Sequence, residues 1–165
     1  MLILASASPR RREFLVRVGV AFAVRPADID ETPGVDEPAV AYVERVAAAK
    51  AAALASDDDW VLAADTTVIV DGAIFGKAAD ADEAERMLRA LRGRSHQVTT
   101  AVVLRKGAEV HAVTVWQAQV ENDQIGCAGR GFDQATLVVL GLVHRVALGH
   151  QREALAVERD RSRRC

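Results

Sequence analysis

The spacing of hydrophobic residues changes several times along this chain, and each spacing predicts a different element. The apolar run at residues 2–5 has the length of a short buried strand. Ser8 is a favoured N-cap residue and Pro9 suits the first helical position, so a helix is predicted to start there and to run towards Gly19. Residues 21–24 predict a second short strand. The beginning of the chain therefore reads as strand, helix, strand.

The next stretch contains a loop, a long helix and a buried strand. Residues 25–38 are rich in Asp, Glu, Pro and Gly, which is typical of a loop. From Pro38 to about residue 56 the sequence predicts an alanine-rich helix, and one of its faces carries Val40, Val43, Ala47, Lys50 and Leu54. Residues 61–70 are largely apolar and rich in Val and Ile, which predicts a strand buried on both faces. Lys50 and Asp65 each interrupt an otherwise apolar pattern.

Two turn signals organise the segment after that strand. Asp71-Gly72 predicts a two-residue hairpin, and its returning strand brings Lys77 back near the strand that carries Asp65. Asp80 and Glu83 match a capping box for a further helix, which Gly93 closes. We interpret this helix as structural, because Ala84, Met87, Leu88 and Leu91 form an apolar face.

Two more strands are predicted at residues 96–104 and 109–116, around a turn at Lys106-Gly107. The order of elements predicts a mixed α/β fold. Beyond about residue 116 the hydrophobic pattern loses any clean period. We therefore expect one domain over residues 1–115 and an atypical C-terminal segment over residues 116–165, partly disordered at its end.

Composition narrows the class of protein. The chain has 165 residues, half of them apolar, which is enough for one domain with a sizeable core. Its formal net charge of −2 argues against an extended nucleic-acid footprint but leaves small anionic ligands open. Cys127 and Cys165 have no zinc or disulfide spacing. Because no apolar stretch is long enough for a signal sequence or a membrane span, we expect a cytoplasmic protein.

Three consecutive arginines follow the start of the first helix. Free N–H groups and the positive end of the helix dipole attract anions there, and Arg10, Arg11 and Arg12 add planar donor forks suited to phosphate oxygens. The segment is therefore suited to binding phosphate groups. A capped surface helix with solvated arginines explains it equally well.

Several other charged residues have both a functional and a structural explanation. Asp65 lies inside an apolar strand, where a carboxylate is costly unless it is paired or binds a metal, so we favour a functional role over a structural ion pair. Lys50 either binds a ligand or extends its amine to water. Asp30 and Glu31 lie in an acidic loop and are either solvated or metal ligands. Together with Lys77, these groups are what hydrolysis of a phosphoanhydride requires.

Several motifs occur here in a characteristic order. They are Ser6-Ala7-Ser8-Pro9-Arg10-Arg11, Asp30-Glu31-Thr32, Lys50, Ala64-Asp65-Thr66, Gly76-Lys77 and Gly93-Arg94-Ser95-His96-Gln97-Val98. Over about residues 1–115 the chain resembles the Maf family of nucleoside triphosphate pyrophosphatases. The resemblance implies a mixed α/β fold like that of inosine triphosphatases, with an elongated central sheet flanked by helices and a cleft between two lobes. It also implies a homodimer.

The same resemblance implies residue roles. Asp65 would accept a proton from the attacking water, with a divalent cation, Mg²⁺ or Mn²⁺, held by Glu31 and Asp65. The triphosphate would be bound by Ser8, Arg10, Arg11, Lys50 and Lys77. Arg11 and Thr66 fit the branch that acts on dTTP and UTP. Water would attack the α-phosphorus and release pyrophosphate and a nucleoside monophosphate.

The C-terminal segment departs from the family pattern. Family members continue with Asp-Lys-Ala-Gly, Tyr-Gly-Ile-Gln-Gly and Asn-Val-Val-Gly-Leu-Pro segments, none of which is present here. The tail resembles a shifted reading frame or a replaced terminus and ends early by the family's standard. Three hypotheses therefore stay open: an active pyrophosphatase, a nucleotide-binding or septum-formation-related regulatory protein without turnover, and an unstable product.

Overall fold

Three helices and six strands make up the part of the chain that the computed structural model describes, residues 1–76 and 78–120. The strands are β1 (Leu2–Leu4), β2 (Phe22–Val24), β3 (Trp60–Val70), β4 (Ala73–Phe75), β5 (His96–Lys106) and β6 (Glu109–Val120). The helices are α1 (Pro9–Val18), α2 (Ala39–Ala53) and α3 (Ala81–Leu91). Within these residues, no helix has the length and apolar character needed to cross a bilayer. Most of the predicted C-terminal segment, from residue 121 onward, lies outside the described residues.

The six strands form one mixed sheet. Its order is β2-β1-β3-β5-β6, and β4 pairs with β3 off this path. β1 runs parallel to both β2 and β3, whereas β4 and β5 run antiparallel to β3 and β6 runs antiparallel to β5. The predicted mixed α/β fold is therefore confirmed. α1 connects the parallel pair β1 and β2, and α2 lies between β2 and β3 in the chain, as expected for parallel strands joined by helical crossovers.

The core lies between α2 and one face of the sheet. Val43, Val46 and Ala47 of α2 are fully buried there, and they belong to one hydrophobic cluster with residues of three strands. The strand residues in that cluster are Ile3 of β1, Val61 and Ala63 of β3, and Ala101 and Val103 of β5. Side chains two apart on a strand share a face, so Asp65 belongs to the same face as Val61 and Ala63. The core packing thus directs the Asp65 carboxylate towards α2.

The predicted ends of α1 are confirmed, with one difference in chemistry. Ser8 is the N-cap, Pro9 occupies the first turn, and Gly19 closes the helix with a left-handed φ of 73°. The Ser8 side chain makes no capping hydrogen bond. Instead, the hydroxyl of Ser6 accepts a bond of 3.2 Å from the Ser8 N–H, so the serine two residues earlier stabilises the helix start.

One of the two predicted turns between antiparallel strands is confirmed, and the other is shifted by one residue. The hairpin at Asp71-Gly72 is confirmed, with positive φ angles of 50° and 82° that fit a type I′ turn. The turn predicted at Lys106-Gly107 was wrong by one residue, because Lys106 still pairs with Glu109 at the end of the ladder. Gly107 and Ala108 form the turn, and Gly107 supplies the positive φ of 53°.

Helix α3 has the predicted cap but no buried face. The Asp80 carboxylate accepts a 2.7 Å bond from the Glu83 N–H, while Glu83 accepts one of 2.6 Å from the Ala79 N–H rather than from Asp80. None of the helix residues is buried, and Leu88 is 67% exposed. The apolar spacing therefore identified the right face, but that face does not pack into the core as a structural role would require.

Candidate active site

The site begins at a gap along one side of the central strand β3. β5 pairs with β3 along one side from Trp60 to Ile69. On the other side β1 pairs with residues 60–62 and β4 with residues 68–70, so residues 63–67 have no strand partner there among the described residues. Asp65 is at the centre of this gap. The chain leaves β1 next to it and enters α1, which matches the position where open α/β sheets bind ligands.

Lys50 and Asp65 meet at the inner side of this gap. The Lys50 Nζ donates to Asp65 Oδ1 at 2.7 Å, and the two residues are only 7% and 6% exposed. The same Nζ lies 3.2 Å from Glu31 Oε1. A buried ammonium and a buried carboxylate are each costly alone, so their pairing explains how both are tolerated in the apolar pattern. Three residues that were singled out separately in the sequence thus form one charged centre.

The loop that carries Glu31 is fastened to α2 by two side chains. The Tyr42 hydroxyl donates to the Glu31 carbonyl oxygen at 3.0 Å. Arg45 donates to both carboxylate oxygens of Glu37, at 2.6 and 2.7 Å, and to the Thr32 carbonyl at 3.0 Å. These contacts hold the loop at Glu31 and at the residues that follow it, which explains why the Glu31 carboxylate reaches Lys50.

Two carboxylates in this loop have lowered pKa values for identifiable reasons. The hydrogen bonds from Arg45 lower the pKa of Glu37 from 4.5 to about 2. Hydrogen bonds from the Thr32 side chain and from the Thr32 N–H, the latter at 2.8 Å, lower the pKa of Asp30 as well. Asp30 is exposed and forms a local turn. Its position fits a solvated loop carboxylate better than a metal ligand.

Arg11 approaches the gap from α1 and is held by two hydroxyl groups. Its guanidinium donates to Ser6 Oγ and to Thr66 Oγ1, both at 3.1 Å. Burial lowers the pKa of Arg11 from its ordinary value, while the negative charges of Asp65 and Glu31 act in the opposite direction. Arg11 therefore belongs to the same electrostatic centre as Lys50.

The other predicted phosphate-binding residues have different positions. Ser8 is half-buried at the N-cap of α1, and Arg10 is exposed in the first turn. The Ser8 N–H donates to the Ser6 hydroxyl that also accepts from Arg11, so Ser8 is connected to the site through its backbone. Lys77 lies outside the described residues.

Sequence reasoning assigned no role to four supporting residues. Tyr42 and Arg45 hold the loop, Ser6 holds Arg11, and the Thr100 hydroxyl lies 3.0 Å from that of Thr66. One signal was readable, because Tyr42 precedes Lys50 by two helical turns and shares its face. Thr100 became visible only with the sheet register, which places it directly opposite Thr66.

The donor groups in this centre are compatible with a shared divalent cation. Within the described ranges, no group of three or more His, Cys, Asp or Glu side chains is placed to hold a metal. Glu31 and Asp65 nevertheless converge on one point, the Lys50 ammonium. Mg²⁺ is usually bound by one or two carboxylates together with phosphate oxygens of a substrate, so this pair fits that mode of binding.

Comparison with solved structures shows which class of fold this is. The structure of the Staphylococcus aureus Ham1 protein has a TM-score of 0.50 to this chain at 17% sequence identity, covering 72% of this chain and 69% of the Ham1 chain. At that identity the likeness concerns the fold alone. The mixed sheet with its flanking helices is therefore one shared with Ham1 proteins.

The family follows from the sequence. The Maf-like protein family matches residues 1–127, and this chain belongs to that family. It is 53% identical over 112 residues to a dTTP/UTP pyrophosphatase of Anaeromyxobacter dehalogenans, covering 68% of this chain and 57% of the relative. It is 54% identical over 106 residues to a dTTP/UTP pyrophosphatase of Myxococcus xanthus, covering 63% and 54%. The resemblance seen in the motifs is confirmed, and the chain spans about half the length of the curated relatives it matches.

Proposed function

We propose that this chain is a nucleoside triphosphate pyrophosphatase that hydrolyses dTTP and UTP to the monophosphate and pyrophosphate. The observation that carries the proposal is the convergence of Lys50, Asp65 and Glu31, with Arg11 beside them, at the gap in β3. A buried carboxylate and a buried ammonium at a sheet opening, with a half-buried carboxylate and guanidinium beside them, suit the binding and hydrolysis of a polyphosphate. The names of the two relatives above support the same reaction and the same substrates.

The cationic residues would bind the triphosphate and favour departure of pyrophosphate. Arg11 presents a planar donor fork at the opening, and Lys50 supplies three donors from within it. Ser8 and Arg10, at the start of α1, would add a hydroxyl and a helix-terminal positive charge. Lys77 completes the proposed set.

Asp65 is the proposed proton acceptor. In the reaction, a bond forms between a water oxygen and the α-phosphorus, and the bond from that phosphorus to the oxygen bridging it to the β-phosphorus breaks. The electron pair of the broken bond leaves with pyrophosphate, and the proton of the attacking water passes to the Asp65 carboxylate. Its buried position in the gap gives the carboxylate a fixed orientation, which general base catalysis requires.

A divalent cation, Mg²⁺ or Mn²⁺, would be held by Glu31 and Asp65 and, when bound, would neutralise phosphate charge and acidify the attacking water. Tyr42 and Arg45 keep the Glu31 loop against α2. These contacts support Glu31 as the second proposed ligand of the cation.

Arg11 and Thr66 are the proposed selectors of dTTP and UTP. Both bases carry a carbonyl oxygen at position 4, where cytosine has an amino group. A guanidinium donates hydrogen bonds and accepts none, so it can favour the carbonyl and disfavour the amine. The bond of 3.1 Å to Thr66 fixes the guanidinium, which supports this assignment.

Two further expectations belong to the same proposal. The substrate implies a cytoplasmic location, because nucleotide pools are found there. The resemblance also implies a homodimer, which sedimentation of the purified 165-residue chain measures directly.

The test is pyrophosphate release from dTTP, UTP, CTP and GTP by the purified chain with Mg²⁺ or Mn²⁺. We expect turnover of dTTP and UTP, and a loss of about 100-fold or more in Asp65→Asn, because general base catalysis is worth about 10²–10⁴. Asp71→Asn is the matched control, since Asp71 forms an exposed ion pair with Arg94 outside the site. A cooperatively folded chain that binds dTTP but releases no pyrophosphate would refute the proposal and leave a nucleotide-binding protein.

A further inference from the structure

The Lys50 ammonium lies at the point on which the two carboxylates of the proposed cation site converge. It contacts the same two carboxylates, Asp65 at 2.7 Å and Glu31 at 3.2 Å, that form the candidate cation-binding pair. An ammonium and a divalent cation compete for carboxylate oxygens. Both cannot make short contacts with the same two groups without strong mutual repulsion.

The surroundings limit where this ammonium can go. The side chains of Lys50 and Asp65 are each 9% exposed, so separating them without a replacement charge would leave buried ions unpaired. Arg11, whose charge interacts with both carboxylates, adds positive charge to the same centre. Lys50 can therefore leave the carboxylates only if a cation replaces it there and an anion receives its ammonium.

A triphosphate accompanied by a cation meets both conditions at once. The four-carbon stem of lysine allows its head group to move while its backbone stays in α2. Phosphate oxygens entering the gap in β3 would accept the ammonium's donors. The cation would then take over the two carboxylates.

We propose that Lys50 is an exchangeable internal counter-cation, which neutralises Glu31 and Asp65 in the free protein and is displaced onto phosphate oxygens by a divalent cation. This inference rests on the proposed function for the identity of the anion. It explains why a residue expected to bind phosphate is found bound to the carboxylates. It also predicts that Lys50 weakens cation binding when no nucleotide is present.

The first test is equilibrium binding of Mn²⁺ alone to the full chain, followed by the electron paramagnetic resonance signal of free Mn²⁺. We expect Lys50→Met to bind Mn²⁺ at least about tenfold more tightly than the unaltered chain, because charge-assisted hydrogen bonds no longer have to be given up. Lys106→Met is the matched control, since it removes the same charge beside Trp60, outside the site. A folded Lys50→Met chain that binds Mn²⁺ no more tightly than Lys106→Met would overturn the proposal.

A second measurement is made on the unaltered chain, and variants serve only to assign its spectrum. The chain has three lysines, Lys50, Lys77 and Lys106, so its side-chain ¹⁵Nζ spectrum is simple to assign with Lys77→Arg and Lys106→Arg. We expect the Lys50 resonance to shift on addition of Mg²⁺ with a non-hydrolysable α,β-imido analogue of dUTP. A Lys50 resonance that stays unchanged while the analogue binds contradicts the exchange.

The two proposals fail separately. If no substrate is hydrolysed but Lys50→Met still binds Mn²⁺ more tightly, the pyrophosphatase assignment is wrong and the exchange stands. If dTTP is hydrolysed while Mn²⁺ binding is the same in both variants, the exchange is wrong and the activity stands.

Discussion

The contact between Lys50 and Asp65 makes a quantitative prediction about stability. Both side chains are 9% exposed and their charged atoms are 2.7 Å apart. Removing one partner of a buried ion pair costs about 3–5 kcal/mol, since the other charge stays buried. Arg11 partly offsets the charge left on Asp65, so we expect Lys50→Met to destabilise the protein by about 3 kcal/mol, at the lower end of that range.

Asp65→Asn has a smaller expected effect. Lys50 retains Glu31 as an ionic partner, and the amide oxygen still accepts a hydrogen bond, so the cost is about 1.5–3 kcal/mol. The double variant removes both charges together. The second substitution then removes a group that has already lost its partner. We therefore expect the double variant to be destabilised by about 1.5–3 kcal/mol less than the sum of the two single effects.

Urea unfolding followed by circular dichroism measures all four proteins of this cycle. With a slope of about 2 kcal/mol per molar urea, a loss of about 3 kcal/mol lowers the midpoint by about 1.5 M. The reasoning is refuted if the loss of stability of the double variant equals the sum of the losses of Lys50→Met and Asp65→Asn to within about 0.5 kcal/mol, because independent sites behave in that way.

Three further predictions concern the supports of the site and of α1. Because its pKa is lowered to about 2, Glu37 stabilises the protein through Arg45 above pH 4.5, and this stabilisation is lost as the pH falls to about 2. In Glu37→Gln the melting temperature should therefore fall less steeply between pH 4.5 and about 2. Thr100→Val removes the hydroxyl beside Thr66, so we expect a stability loss of about 1 kcal/mol and reduced selectivity for UTP over CTP in steady-state kinetics. Gly19→Ala places a side chain at a φ of 73° and should cost about 1 kcal/mol in urea unfolding.

Each of these has a contradicting outcome. If the melting temperature of the Glu37→Gln chain depends on pH in the same way as that of the unaltered chain, the contact between Glu37 and Arg45 contributes nothing to stability. Unchanged selectivity in Thr100→Val would separate Thr100 from the base-selecting pair. For the glycine, Gly76→Ala is the matched control, because a Cβ there meets no atom within 4 Å and no positive φ is required. Equal stability of the two alanine variants would show that the left-handed conformation is not what makes Gly19 suitable.

Much of the fold was predictable because the local signals were strong and agreed with one another. An apolar run identified the strand containing Asp65, the Asp71-Gly72 turn signal identified the hairpin, and Ser8 with Pro9 identified the start of α1. Strand ends were less predictable, since β5 continues into the charged pair Arg105 and Lys106 through ladder hydrogen bonds that composition does not encode.

The candidate site was predictable as a set of residues but not as an arrangement. A carboxylate and a lysine inside apolar patterns identify themselves by the cost of burying charge. Their mutual contact depends on α2 packing across the sheet, and the contribution of Thr100 depends on register, which no local pattern specifies. Tyr42 and Arg45 were missed because their partners are backbone carbonyls and a loop carboxylate, whose positions exist only after folding.

Within residues 1–76 and 78–120, the gap in β3 makes part of a central strand behave as an edge. Unpaired backbone groups at an edge invite another strand to add, and proteins commonly prevent such addition with inward-pointing charges. Here those charges are Lys50, Asp65 and Arg11, the same groups that the proposed chemistry uses. Substitutions that neutralise this centre are therefore expected to do more than end the proposed turnover. They also remove the barrier to strand addition, so solubility is expected to decline together with catalysis.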